Sequence, residues 1–262
     1  MKSIFFWLGY KLQMLGLRFR LAAEARALRE RRWLRVAGLW QIFRRPTEAE
    51  VVLAAQRFLD PAQRYTLVDV GANVGAWAAR FLGSVPGGYV GFEPDARAFV
   101  VLTERFPTSH LYNLCVGGEP GRVRMKLAAN TTYSSKFSYD DRIVSQVVEG
   151  TVEIDQVTLD ASEKGRGPFI LKIDVQGAEA EVLAGAPETL RQTALVILET
   201  PLFPQTSERN GLADVVGRLG AAGFQPCYFC QAGLAEGRNS IPVEHDVIFV
   251  NTAMIDPVSR IK

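Results

Sequence analysis

Four carboxylates stand at the ends of apolar runs in this chain. Asp69 lies in Leu67-Val68-Asp69-Val70, Glu93 follows Tyr89-Val90-Gly91-Phe92, Asp174 follows Leu171-Lys172-Ile173, and Glu199 follows Val196-Ile197-Leu198. Runs of this kind read as buried strands of a parallel sheet. Open α/β sheets bind ligands outside the carboxyl ends of their strands. The four acids, with Val116-Gly117 at the end of a further apolar run, are therefore expected around one site. Lys172 and Asp174 are two apart, so both point to one face. Two charges on a central strand are costly unless they pair or work.

The first run turns at Gly71-Ala72-Asn73-Val74-Gly75 into an apolar helix opening at Ala76. Gly71 and Gly75 let a backbone approach a ligand closely, and the helix N-terminus offers N–H groups to a carboxylate. Asp69 can accept from an amine. An amino acid has both groups, and so has the methionine half of S-adenosylmethionine. Glu93 lies 24 residues after Asp69, near the roughly 20 at which an acid meets a ribose in such folds; a solvated strand end is the plainer reading. The turn is G-x-x-x-G and lacks the third glycine of a dinucleotide cradle.

Stepping along the chain, the run from Asp69 to Gly75 is followed by Phe92-Glu93-Pro94-Asp95, Asn113-Leu114-Cys115-Val116-Gly117 and Val157-Thr158-Leu159-Asp160. Lys172-Ile173-Asp174-Val175-Gln176-Gly177-Ala178-Glu179 and Val196-Ile197-Leu198-Glu199 complete the series. In this order the pieces resemble the FkbM-type S-adenosylmethionine-dependent methyltransferases over roughly residues 65 to 250; the family often has Glu at position 176. The resemblance implies a Rossmann-like seven-stranded methyltransferase sheet, mostly parallel with an antiparallel last strand. It also implies an O-methyltransferase with S-adenosyl-L-methionine as cofactor. The acceptor is expected to be a hydroxyl of a sugar, glycolipid or secondary metabolite. Asp69 and Gly71, Ala72, Asn73 and Gly75 would hold the methionine end, Glu93 the ribose, and Pro94, Asp95, Val116 and Gly117 the adenine.

Methyl transfer to an alcohol needs alignment and a proton acceptor. Asp174 is the first candidate base, with Lys172 as its electrostatic partner. Glu199 and Glu179 could bind acceptor hydroxyls, though Glu179 also fits a carboxylate stabilising a helix N-terminus. His245 is a second base candidate or a plain surface histidine. No metal is expected. Two other readings stand beside this one. An NAD-binding oxidoreductase on a similar sheet lacks its third glycine here. A non-catalytic scaffold would not need Asp69, Glu93 and Asp174 together.

The elements that must position these groups follow from periodicity. A helix near Glu48 to Leu59, with Thr47 as its cap, precedes strands at 67–70, 89–92, 111–116, 169–175, 194–198, 224–230 and 246–250. Helices are expected at 76–82, 96–106, 179–183 and 212–222. Alternation at 122–127 and 144–159 predicts a β-hairpin insertion beside the pocket. Cys227 and Cys230, three apart on a strand, are expected on opposite faces.

The chain has 262 residues, 48% hydrophobic and 22% charged, as a globular enzyme does. Its 3 cysteines and 2 histidines suggest neither a disulfide framework nor zinc, and a reducing cytoplasm is expected. Residues 1–45 carry 11 Lys/Arg against 2 Glu, a net of +9, whereas the rest carries −7. Ile4, Leu8, Leu12, Leu15 and Phe19 recur at helical spacing beside that charge. Two parts are expected: a basic amphipathic helical extension at 1–45 and the methyltransferase domain at 46–262. The extension fits an anionic membrane at its inner face, or packing on the domain or in a homodimer. Nucleic acid is not expected, because the aromatics precede the arginines and do not interleave with them.

Overall fold

The computed structural model describes residues 48–137, 147–201, 211–234 and 242–256. The amphipathic stripe, its arginines and the Thr47 cap lie outside them. Helix α1 (Glu48–Phe58) precedes β1 (Tyr65–Val70), α2 (Ala76–Leu82), β2 (Gly87–Phe92), α3 (Ala96–Arg105) and β3 (His110–Tyr112). Strands β4 (Cys115–Val116), β5 (Gly121–Ala128) and β6 (Val148–Val157) follow. The chain then runs through β7 (Phe169–Ile173), α4 (Glu179–Ala184), α5 (Pro187–Arg191), β8 (Thr193–Pro201), α6 (Leu212–Ala221), β9 (Phe224–Leu234) and β10 (Pro242–Asn251).

Seven strands form one sheet in the order β3-β2-β1-β7-β8-β10-β9. β10 runs antiparallel to both of its neighbours, and the other pairs are parallel. The expected Rossmann-like sheet with its antiparallel last strand is therefore present. Alternation along each strand feeds two apolar layers. Leu67, Ile170, Leu195, Ile197 and Ile248 pack with Val51, Val52 and Phe81 of α1 and α2. Val68, Val70, Leu171, Ile173, Val196 and Leu198 pack with Val182, Val215 and Leu219 of α4 and α6. Burial on both faces is why these strands read as continuous apolar runs.

Three expectations change. The strand expected at 111–116 is two: β3 stays in the main sheet, and β4 leaves it to pair in parallel with β6. The expected hairpin is thus part of a separate three-stranded sheet, β4-β6-β5. Cys227 and Cys230 both pack on the same apolar cluster. A register shift opposite Ile248 and Phe249, between Tyr228 and Pro226, resets the alternation there. Both thiols are free. Among the described residues, no helix is long and apolar enough to cross a membrane.

Candidate active site

The glycine turn is fixed by backbone. Gly71 and Ala72 N–H both donate to the Phe92 carbonyl, at 2.9 and 3.0 Å, tying the exit of β1 to the exit of β2. Gly71 has φ +81°, and a Cβ there would sit 1.9 Å from the Asp174 carbonyl oxygen. Glycine is needed because the ends of β1 and β7 touch. Asn73 follows in the left-handed region at φ 47°, a conformation that asparagine tolerates. Its N–H donates to Glu93 Oε2 at 2.7 Å, and Asp95 N–H donates to Glu93 Oε1 at 2.7 Å. The Asn113 side chain donates to the carbonyls of Glu93 and Pro94. Glu93 is buried, and burial pushes its carboxyl up to about 7 against the opposing pull of those two N–H groups.

Behind the turn lies a buried ionic chain. The register sets Asp69 beside Lys172 and Val70 beside Ile173. Lys172 Nζ lies 3.4 Å from Asp69 Oδ1 and 3.2 Å from Asp174 Oδ2. The Tyr89 hydroxyl donates to Asp69 Oδ2 at 3.2 Å, and Gln176 Nε2 donates to Asp174 Oδ1 at 2.9 Å. Lys172 Nζ also lies 5.6 Å from the Trp77 ring centre. Burial opposes the ammonium charge, but the carboxylates of Asp174 and Asp69 outweigh it and hold Lys172 above the ordinary lysine value. Of this chain, Asp174 and Gln176 reach the open cleft. Gln176 is left-handed, at φ 56°.

The insertion forms the opposite wall. A 3-10 turn at Thr131–Tyr133 brings Thr131 Oγ1 to donate to Asn73 Oδ1 at 3.0 Å, while Asn73 Nδ2 donates to Thr132 Oγ1 at 3.1 Å. Ser135 Oγ donates to the Gln176 carbonyl at 3.1 Å, and Lys136 pairs with Glu181. The cleft between the walls opens to solvent and holds about 680 Å³ of space, open solvent included. Gly71, Asn73, Asp174, Val175, Gln176 and Ala178 line it together with Glu93 and Pro94. Phe92, Leu114, Cys115, Val116, Met125 and Gln156 complete the lining. Burial pushes the Cys115 thiol up to about 12, so it stays protonated.

Six of the expected site residues thus share the cleft: Gly71, Asn73, Glu93, Pro94, Val116 and Asp174. The others lie elsewhere. Asp69 is wholly buried, its oxygens facing Lys172 and Tyr89 rather than the cleft. Ala72 is buried. Gly75 faces away from the cleft, where a Cβ would stand 2.7 Å from Leu102 and from Phe106. Asp95 caps α3 through Arg97 N–H, pairs with the Arg97 guanidinium at 2.6 Å and accepts from Ser134. Those bonds hold its carboxyl below the usual range despite the burial that opposes them. Gly117 is covered by the Gln156 amide. Glu199 pairs across strands with Asp246, and His245 with Thr200. Burial lowers His245, and its Nδ1 has no hydrogen-bond partner among the described residues. Glu179 accepts from Gly177 N–H at 2.8 Å. Among the described residues, no three His, Cys, Asp or Glu side chains gather as a metal site.

A polar turn at a glycine-rich β1 exit, a buried acid at the end of β2 and the apolar residues Leu114, Val116 and Met125 line one cleft. Residues 69–226 match the model of the methyltransferase FkbM domain. The chain belongs to the FkbM methyltransferase family. The 2-O-methyltransferase NoeI of Sinorhizobium fredii is 27% identical over 150 residues, which are 51% of this chain and 62% of that protein. The amino pentose methyltransferase CalS10 of Micromonospora echinaspora is similar in structure at 13% identity, with 90% and 98% of the two chains covered and a TM-score of 0.43. A TehB-like methyltransferase of Corynebacterium glutamicum shows 10% identity, 88% and 98% coverage and a TM-score of 0.41.

The sequence did not reveal Gln156, Ser135 or the threonines of the 3-10 turn as site residues. They lie on a polar excursion with no spacing motif.

Proposed function

We propose that this chain is an S-adenosylmethionine-dependent O-methyltransferase acting on a hydroxyl of a sugar, glycolipid or secondary metabolite. The observation that carries this reading is Asp174. Its carboxylate lines the cleft beside the glycine turn, with one oxygen accepting from Lys172 and the other from Gln176. A hydroxyl acceptor needs such an aimed proton acceptor, whereas the sulfonium donor brings an already activated methyl group. The relative NoeI is a 2-O-methyltransferase, which supports the choice of oxygen as acceptor.

In this reading Gly71 and Asn73 hold the methionine end, Glu93 accepts from the ribose hydroxyls, and Val116 and Met125 flank the adenine. Asp174 takes the acceptor's hydroxyl proton as the oxygen forms its bond to the methyl carbon. A bound sulfonium donor would supply the methyl group and keep the carbon–sulfur electron pair as a neutral thioether. Lys172 donates a hydrogen bond to Asp174 and sets a positive charge beside it.

A panel of mono- and oligosaccharides, glycolipids and phenols, assayed with S-adenosylmethionine for S-adenosylhomocysteine release and product mass, tests the reading. A hydroxyl-methylated product is expected. With that acceptor, Asp174→Asn should lower turnover by about 10²–10⁴-fold while S-adenosylhomocysteine affinity stays within about threefold. Methylation at nitrogen, or a fully active Asp174→Asn, would sink it. Loss of cofactor affinity would move Asp174 to the methionine end.

A further inference from the structure

One polar group in the cleft has no place in that scheme. Gln156 sits on β6, beside Cys115 of β4 in parallel register and opposite Gly121 of β5. It lines the cleft with the apolar residues Leu114, Val116 and Met125. Its Nε2 donates to the Glu119 carbonyl at 2.8 Å, so the amide cannot flip without losing that bond. Its Oε1 accepts no hydrogen bond among the described residues. The amide lies flat over Gly117: a Cβ there would come within 2.5 Å of its carbon and oxygen. Glycine at 117 is what lets the amide occupy this place.

The neighbouring polar groups are already engaged. Ser134 donates to Asp95, Ser135 to the Gln176 carbonyl, and Thr131 to Asn73. A fixed carbonyl oxygen beside an apolar slot is the partner that an exocyclic amine of a flat base requires. Adenine offers such an amine as donor, and glutamine and asparagine amides are its usual readers.

We infer that Gln156, brought to the cleft by the insertion sheet, reads the adenine amine of the cofactor through Oε1 and makes the site selective for a 6-amino purine. The inference rests on the cofactor placement proposed above. It assigns the insertion a role in choosing the cofactor, in addition to walling the cleft. A site built around a substrate amine rejects an analogue lacking it, because the site's own acceptor is then left without a partner.

Calorimetry on the full chain tests this without an acceptor substrate. Two probes are titrated: S-adenosylhomocysteine and its purine-riboside analogue, which carries hydrogen in place of the amine. The wild-type chain should bind the first about tenfold more tightly, of the order of one hydrogen bond. Gln156→Leu should bring both probes to the same weaker affinity. Gly117→Ala keeps Gln156 but displaces its amide, and it too should lose the preference. Equal binding of both probes by the wild-type chain, or a preference kept by Gln156→Leu, overturns the inference and leaves the methyltransferase reading standing. A wild-type chain that binds neither probe overturns the cofactor placement, and this inference falls with it.

Discussion

The backbone N–H of Asn73 donates to Glu93 Oε2 at 2.7 Å, so the left-handed turn after β1 is locked to the acid at the end of β2. This bond gives Glu93 a fixed aim, and burial gives it a high proton affinity. Its carboxyl is raised from 4.5 to about 7. The folded chain therefore keeps that proton at pH values where the unfolded chain has released it. The resulting stability is full below about 4.5 and is lost as pH rises through about 7, by on the order of 3 kcal/mol. Glu93→Gln cannot ionise and should lack this loss. Urea unfolding at pH 5 and pH 8 checks it: the variant should gain on the wild type at the higher pH. Ribose hydroxyls would donate to the ionised form, so S-adenosylhomocysteine should bind the wild type more tightly at pH 8 than at pH 6. A flat affinity in the wild type would remove Glu93 from the ribose.

Lys172 sits between two carboxylates, one of them on wholly buried Asp69. Lys172→Met leaves that acid without its cation and should cost about 3–5 kcal/mol, the usual penalty for breaking a buried pair. Asp69→Leu with Lys172→Met removes both charges and should recover part of the loss. Urea denaturation of the two single variants and the pair reads the coupling. Strictly additive losses would show that the pair does not act as a unit.

Much of this arrangement is legible in the sequence because the main sheet is buried on both faces. Continuous branched runs such as 67–70 and 194–198 have no other home, and the acids that follow β2 and β7, Glu93 and Asp174, do line the cleft. The limits are also physical. Asp69 and Asp174 look alike in sequence, yet the register turns Asp69 toward Lys172 within the layer, while Asp174 lies past the end of β7 and reaches the cleft. Gly75 looks like half of a ligand-binding motif, but its reason is contact with Leu102 and Phe106. The break between β3 and β4 depends on where Asn113 ties the chain to Glu93 and Pro94, a contact that periodicity does not encode. Gln156 and Ser135 are placed by pairing within the small sheet and by the bridge between Ser135 and Lys126.

Gly75 yields a prediction that separates packing from binding. It has φ +70°, and a Cβ would meet Leu102 and Phe106 at 2.7 Å. Gly75→Ala should destabilise the fold by about 1–3 kcal/mol through overpacking and backbone strain. S-adenosylhomocysteine affinity should stay within about twofold, because Gly75 does not line the cleft. Thermal unfolding and calorimetry on one sample measure both. A stable variant that has lost the ligand would return Gly75 to the binding turn.

Residues 1–45 combine apolar residues at a spacing of three and four with a net charge of +9, against −7 in the remainder. The roles proposed for methyl transfer fall on residues 71–174, which leaves the basic excess to a partner of opposite charge. We propose an anionic membrane surface, which meets both features: each arginine gains on the order of 1 kcal/mol near it, and the stripe buries its side chains at the acyl boundary. Packing on the rest of the chain or in a homodimer is the competing account, with the arginines facing acidic surface. Vesicle co-sedimentation separates the two. The full chain should bind vesicles rich in phosphatidylglycerol, release them as salt rises, and leave phosphatidylcholine vesicles unbound. Reversing Arg29, Arg31, Arg32 and Arg35 to Glu should abolish that binding and leave S-adenosylhomocysteine affinity unchanged. A chain beginning at Thr47 should keep its ligand and lose the vesicles. If the full chain stays in the supernatant with anionic lipid, or the shortened chain unfolds, the extension serves the fold, and a glycolipid acceptor loses its local support.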